Sequence, residues 1–242
     1  MLHRSASRGQ LWIMKYFLRF STDMRSYARI TGLTRILNLF RKSGSGIYED
    51  SFCKALLGAV RPGDCVWDVG ANLGHYTAKL IDLTGDAGIV YAFEPAPACA
   101  GRLRQQFSHR VKILESALGN VETSLPLAIA ENPLGSTHSL CSLSSAAVQV
   151  RVTTGDHAIS FSEASQPNVI KIDVEGFELE VLEGLEHTLL NPSCRAVFVE
   201  VHFGLLDRRG DRYAPLKIES LLQEAGLRTH WIDASHLAAI RS

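Results

Sequence analysis

Along the chain from Tyr48, apolar positions alternate between helical and strand spacing. Tyr48 to Val60 carries helical spacing and stops at Arg61-Pro-Gly-Asp64. Val66, Trp67 and Val69 form a short strand-type run, a glycine turn follows, and helical spacing resumes over roughly His75 to Leu83. The same alternation predicts a strand over Ile89–Phe93, a helix over Pro97–Phe107 and a strand over Val111–Leu114. Later, Val169–Val174 and Ala196–His202 read as strands. Between them Val181, Leu182, Leu185 and Leu189 share one face of a helix over Phe177–Leu190. A helix over Pro215–Ala225, stopped by Gly226, precedes two short strands at Arg228–Ile232 and Leu237–Ile240.

One stretch departs from the alternation. From Asn120 to Gln166, Leu125, Leu127 and Ile129, then Val148, Val150 and Val152, keep a period of two. That predicts a β-hairpin insertion (about 120–166), joined by a serine-rich loop from Gly135 to Ser145. The whole reads as α/β: a doubly wound, mostly parallel sheet with helices on both faces. In such sheets ligands bind beyond the carboxyl ends of the strands. Asp68–Gly74, Glu94, Ser116–Gly119, Asp173–Gly176 and Glu200–His202 should therefore share one rim.

Charge divides the chain in two. Residues 1–45 hold nine Lys or Arg and one acid, for a net +8; the remainder carries net −8. Gln10–Phe20 and Asp23–Phe40 have helical spacing, and Ser43-Gly-Ser-Gly46 is a flexible joint. The expected division is a basic helical arm (1–45) and a domain (46–242). The arm either packs on the domain as a cap or touches an anionic membrane surface. A 46% hydrophobic content fits a real core. Five scattered cysteines show no zinc-ligand spacing and read as reduced core thiols, and no run is long enough to span a bilayer. A cytoplasmic location is the default expectation. Nucleic acid is disfavoured as a partner, because a phosphate backbone needs a basic track and this domain is acidic. Oligomeric state is left open.

Asp68 to Gly74 reads D-x-G-x-N-x-G rather than the G-x-G-x-x-G of dinucleotide sites. Asp68 would repel a phosphate but suits a cation or an amine. Gly70, Ala71, Asn72 and Gly74 would let the backbone approach a nucleoside-like ligand. This pattern resembles motif I of the S-adenosylmethionine (SAM) methyltransferases. Glu94, at the end of the second strand, is placed to accept hydrogen bonds from ribose hydroxyls. Ser116 and Ala117, with Leu118, would border an adenine ring. Lys171 and Asp173 share one side of their strand, as do Glu200 and His202 on the next. Facing each other, the four would form a polar cluster beside the donor; alternatively, Lys171 is a buried ion-pair partner holding two strands in register.

Taken together, V-W-D-V-G-A-N-L-G-H-Y-T, F-E-P, S-A-L-G, I-K-I-D-V-E-G-F-E-L-E-V-L-E-G and V-E-V-H, in this order, resemble the FkbM family of SAM-dependent methyltransferases over about Tyr48 to Phe203. The resemblance implies a class I methyltransferase (Rossmann-like) sheet, SAM as donor, and O-methylation of a hydroxyl, often on a sugar, glycan or natural product. Members often carry Leu-Asp-Asp before the fourth strand, in a region that helps shape the acceptor pocket. Here the chain reads Thr153-Thr-Gly-Asp-His157, and Asp156 alone could stand in.

Removal of the hydroxyl proton needs a base. His202 is the first candidate, given an ordinary pKa of ~6.5, with Asp173 and Glu200 as alternatives or orienters. Magnesium bridging Asp173 and Glu200 ranks behind these, because two carboxylates make a thin site for a hard cation; no metal is expected. A nicotinamide oxidoreductase would need the missing glycine fingerprint. A non-catalytic scaffold bound to SAM or to a membrane is the other alternative.

Overall fold

A computed structural model describes residues 45–128 and 147–242. The predicted arm helices and the Gly135–Ser145 loop lie outside them. The first half runs α1 (Ser45–Ala59), β1 (Cys65–Val69), α2 (His75–Thr84), β2 (Ile89–Phe93), α3 (Pro97–Phe107), β3 (Val111–Leu114) and β4 (Ala117–Leu118). Next come β5 (Thr123–Ala128), β6 (Ala147–Thr153), α4 (Gly155–Ser160) and β7 (Val169–Ile172). The chain closes with α5 (Glu178–Glu183), α6 (Glu186–Leu190), β8 (Ala196–Glu200), α7 (Phe203–Arg208), α8 (Ala214–Glu224), β9 (Leu227–Trp231) and β10 (His236–Arg241).

The main sheet has seven strands in the order β3-β2-β1-β7-β8-β10-β9. The strands from β3 to β8 are parallel, and β10 runs antiparallel to both neighbours. Chain order reverses between β1 and β7, which opens a crevice at their carboxyl ends. Alternation along each strand feeds two cores. Val66, Ala92 and Phe198 pack with Phe52 and Leu56 of α1, Leu80 of α2 and Leu103 of α3. Trp67, Val69 and Ile170 face the other way, against Leu182 of α5, Leu189 of α6 and Leu222 of α8. A strand buried on both faces is therefore apolar almost throughout. Asp68 and Lys171 are the charged exceptions within these central strands.

The insertion forms the expected hairpin, with Leu125 opposite Val150 and Leu127 opposite Val148. A third strand, β4, joins it in parallel, pairing Ala117 with Val152. The predicted helix over Phe177–Leu190 is two helices broken at Gly184. A Cβ there would lie 1.9 Å from the Gly119 carbonyl oxygen, so the backbones press together where a longer side chain cannot fit. The Gly184 carbonyl also accepts the Asp156 N–H. Asp156, the residue that could stand in for the family's Leu-Asp-Asp, turns its carboxylate to α6. Its carboxylate accepts the N–H groups of His187 and Thr188, at 2.8 Å each, in the first turn of α6.

Candidate active site

The turn after β1 is built by backbone demands. Gly70 has φ +76°, and a Cβ on it would lie 1.8 Å from the Asp173 carbonyl oxygen, so glycine alone fits. Asn72 also has positive φ. The N–H groups of Gly70 and Ala71 both donate to the Phe93 carbonyl, and that of Asn72 donates to Glu94 Oε2 at 2.7 Å. These N–H groups are thus turned inward and not toward a phosphate. Ala71 is buried in the core, and Gly74 packs against Leu103 and Phe107. Both shape the turn from behind.

A cleft of about 620 Å³, measured out to open solvent, runs along this turn. Its lining includes Gly70, Asn72, Phe93, Glu94, Ala117, Leu118, Leu127, Asp173 and Glu175. Glu94 Oε1 accepts the Ala96 N–H at 2.8 Å, so the Asn72 and Ala96 amides together fix its carboxylate. Burial pushes the Glu94 pKa up, and these two amides oppose that rise. Ala117 and Leu118 lie on the cleft as expected. Ser116 does not line it; it is buried, and its hydroxyl has no partner among the described residues. Among the described residues, the lining carries three carboxylates and no Lys or Arg. Such a cleft fits a cationic adenosine compound and opposes a pyrophosphate.

Asp68 is placed differently from the sequence expectation. It is 1% exposed and absent from the cleft lining. Thr77 donates to its Oδ2 at 2.6 Å, and the Lys171 ammonium lies 2.9 Å from Oδ1. The two residues are direct cross-strand partners of β1 and β7. Lys171 also donates to the Gly70 carbonyl at 2.8 Å, lies 3.6 Å from Asp173 and sits over the Tyr76 ring. Burial alone would lower its pKa, but Asp68 and Asp173 reverse that and hold it charged. Asp68 and Lys171 therefore form the buried pair that holds the strands and braces the turn. The carboxylates that do line the cleft near this end of β7 are those of Asp173 and Glu175.

The remaining rim residues do come together. Asp173 follows β7 one step past the Ile172–Val199 pair, beside Glu200 at the end of β8. His202 Nε2 lies 3.7 Å from Asp173 Oδ1 and 3.4 Å from Glu175 Oε2. On its other side, Nδ1 is 2.7 Å from Glu178 Oε1, on a fully buried side chain. Burial would lower the His202 pKa, yet Glu178, Glu175 and Asp173 outweigh it and raise it to about 9. These carboxylates favour the protonated imidazole, which sets His202 apart from the ordinary pKa on which its candidacy as the base rested. Burial raises Asp173, partly opposed by Lys171. Glu200 moves the other way: burial would raise it, but its contact with His236 lowers it.

Asp173, Glu175 and His202 offer donor atoms within 4.8 Å of one another, a spacing able to hold a divalent cation. Glu200, named for that role from sequence, is outside this group. Sequence reading passed over Glu175 and Glu178, though both stand in I-D-V-E-G-F-E, and it passed over His236 and Asp233 entirely. No local pattern marks the last two; an antiparallel strand from the chain's end delivers them.

The sheet order, with its antiparallel strand between two parallel neighbours, and the acid-lined cleft at the switch point define a class I SAM-dependent methyltransferase. The profile of the methyltransferase FkbM domain matches residues 68–229, and the chain belongs to that family, whose methyl donor is S-adenosylmethionine. Among characterised relatives, the hexuronic acid methyltransferase AglP of Haloferax volcanii is 31% identical over 185 residues, covering 75% of this chain and 70% of that protein. Among solved structures, a candidate rRNA methylase from Clostridium thermocellum superposes with a TM-score of 0.50 at 11% identity, over 78% of this chain and 94% of that one. That second likeness bears on the fold alone.

Proposed function

We propose that the protein O-methylates a hydroxyl of a sugar or glycan. The observation that carries this reading is the group of carboxylates at the strand ends: Asp173 and Glu175 on the cleft, with Glu200 beside Asp173 at the end of β8. Carboxylates in such a group accept hydrogen bonds from a polyhydroxylated acceptor. Likeness to a hexuronic acid methyltransferase supports a sugar as the acceptor class.

In this reading Glu94 holds the donor's ribose, and Ala117, Leu118 and Leu127 lie against its adenine. When bound, SAM supplies an electrophilic methyl group on a sulfonium that is already a good leaving group. Asp173 acts as the base: it lines the cleft and is flanked by two cations, Lys171 and His202. With SAM bound, Asp173 would take the proton of the acceptor hydroxyl, freeing that oxygen to receive the methyl group. His202, held by Glu178, keeps Asp173 and Glu175 from repelling each other.

The test is release of S-adenosylhomocysteine by the full chain over hexuronates, neutral hexosides, oligosaccharides and non-sugar alcohols, with mass spectrometry of the product. A methyl ether on a sugar oxygen is expected. A methyl ester, or turnover only with non-sugar acceptors, overturns the reading.

A further inference from the structure

We propose that His236 is a positioning residue: clamped between Asp233 and Glu200, it fixes the Glu200 carboxylate where it grips a hydroxyl of the acceptor. This rests on the methyl-transfer reading above. His236 opens β10 and stands directly opposite Glu200 in the register of β8. Its Nε2 lies 3.4 Å from Glu200 Oε2, and its Nδ1 lies 2.6 Å from Asp233 Oδ2. The ring stacks on Phe52 of α1, with centroids 4.3 Å apart. Asp233 is fixed in turn, because its Oδ1 accepts the N–H groups of Ser235, at 2.8 Å, and His236, at 3.0 Å.

Two features separate this arrangement from an ordinary fastening of strand to strand. First, it has a direction. Asp233 and His236 are buried, whereas a third of the Glu200 side chain is open to solvent on the rim, beside Asp173. The buried end is held from three sides, so the free end is aimed. A buried imidazole–carboxylate pair is costly compared with an apolar pair of similar shape. Merely holding β10 against β8 does not require it. Second, Phe52, Asp233 and His236 all lie outside residues 68–229, the part matched by the family. The clamp is thus supplied by segments on either side of the shared core, which suits it to the acceptor rather than to the donor.

The experiment compares the full-length wild type with His236→Gln, Asp233→Asn, Glu200→Gln and the double variant His236→Gln/Glu200→Gln. It uses a hydroxylated acceptor that the wild type turns over, with SAM affinity by calorimetry and Tm as controls. His236→Gln and Glu200→Gln should each raise the acceptor KM about tenfold, as for one lost charge-assisted hydrogen bond, with kcat and SAM affinity within about twofold of wild type. The double variant should be no worse than Glu200→Gln alone. Multiplying effects, or a lowered Tm with an unchanged acceptor KM, would reduce His236 to a structural role and overturn the proposal. If no hydroxylated acceptor turns over, the methyl-transfer reading fails on its own. The clamp is then read from ¹⁵N spectra of the histidine rings: the His236 resonances should shift in Glu200→Gln, and an unchanged spectrum overturns the clamp.

Discussion

The two halves of the cleft are built from different materials. On the side proposed for the donor, at β1 and β2, the carboxylate is fixed by main-chain amides: Glu94 by Asn72 and Ala96. On the side proposed for the acceptor, at β7, β8 and β10, carboxylates are fixed by side-chain cations, Lys171, His202 and His236. Amides do not titrate, so at any pH above the raised pKa of Glu94 the half around that residue should keep its shape. The acceptor half depends on protonated imidazoles and on residues far apart in the chain. On the proposed reading, one half would be a fixed seat for a constant ligand, and the other would respond to pH.

The largest effect that would sharpen this contrast is expected from Asp173→Asn. Loss of a general base should lower kcat by about 100-fold or more while SAM still binds, as read by steady-state kinetics and calorimetry. A fall in SAM affinity matching the fall in rate would break the contrast, placing Asp173 on the donor side. Next is Lys171→Met, which leaves Asp68 buried and uncompensated. A loss of about 3 kcal/mol or more is expected in denaturant unfolding, with part recovered in the double variant Asp68→Asn/Lys171→Met. Glu94→Gln should weaken SAM binding about tenfold and leave the acceptor KM near wild type.

The smallest effect concerns stability against pH. His202 and His236 are raised from 6.5 to about 9 in the folded chain, so the native state binds more protons than the unfolded one between those values. Their contribution is complete below pH 6.5 and is lost as pH rises through about 9. The Tm should fall over that window and fall less in His236→Gln, whereas SAM affinity of the folded enzyme should stay level.

The contrast also explains what could be read from sequence. Strand and helix positions were legible because burial on both faces of a parallel sheet imposes long apolar runs, as in Val66–Val69 and Val169–Ile172. The donor turn was legible because its glycines and acid are contiguous. The break at Gly184 was not, since it depends on close approach of Gly119, 65 residues away. The two-residue strand β4 is too short to show a period. A buried ion pair of Lys171 with one acid was visible as an alternative, but residue types alone could not single out Asp68 as that acid. His202 could be placed at the strand end, but the contact with Glu178 that raises its pKa joins residues 24 apart and appears only in three dimensions. His236 carried no signal at all.

The short strand β4 ties two regions that a domain diagram would separate. Ala117 and Leu118 line the cleft with their side chains and pair with Val152 and Thr153 of the insertion through their backbones. Anyone exchanging the hairpin between relatives to redirect the enzyme would disturb this wall of the cleft as well. Chimeras that move 117–153 as one cassette should retain cofactor affinity, whereas those cut at 120 inherit a mismatched seam.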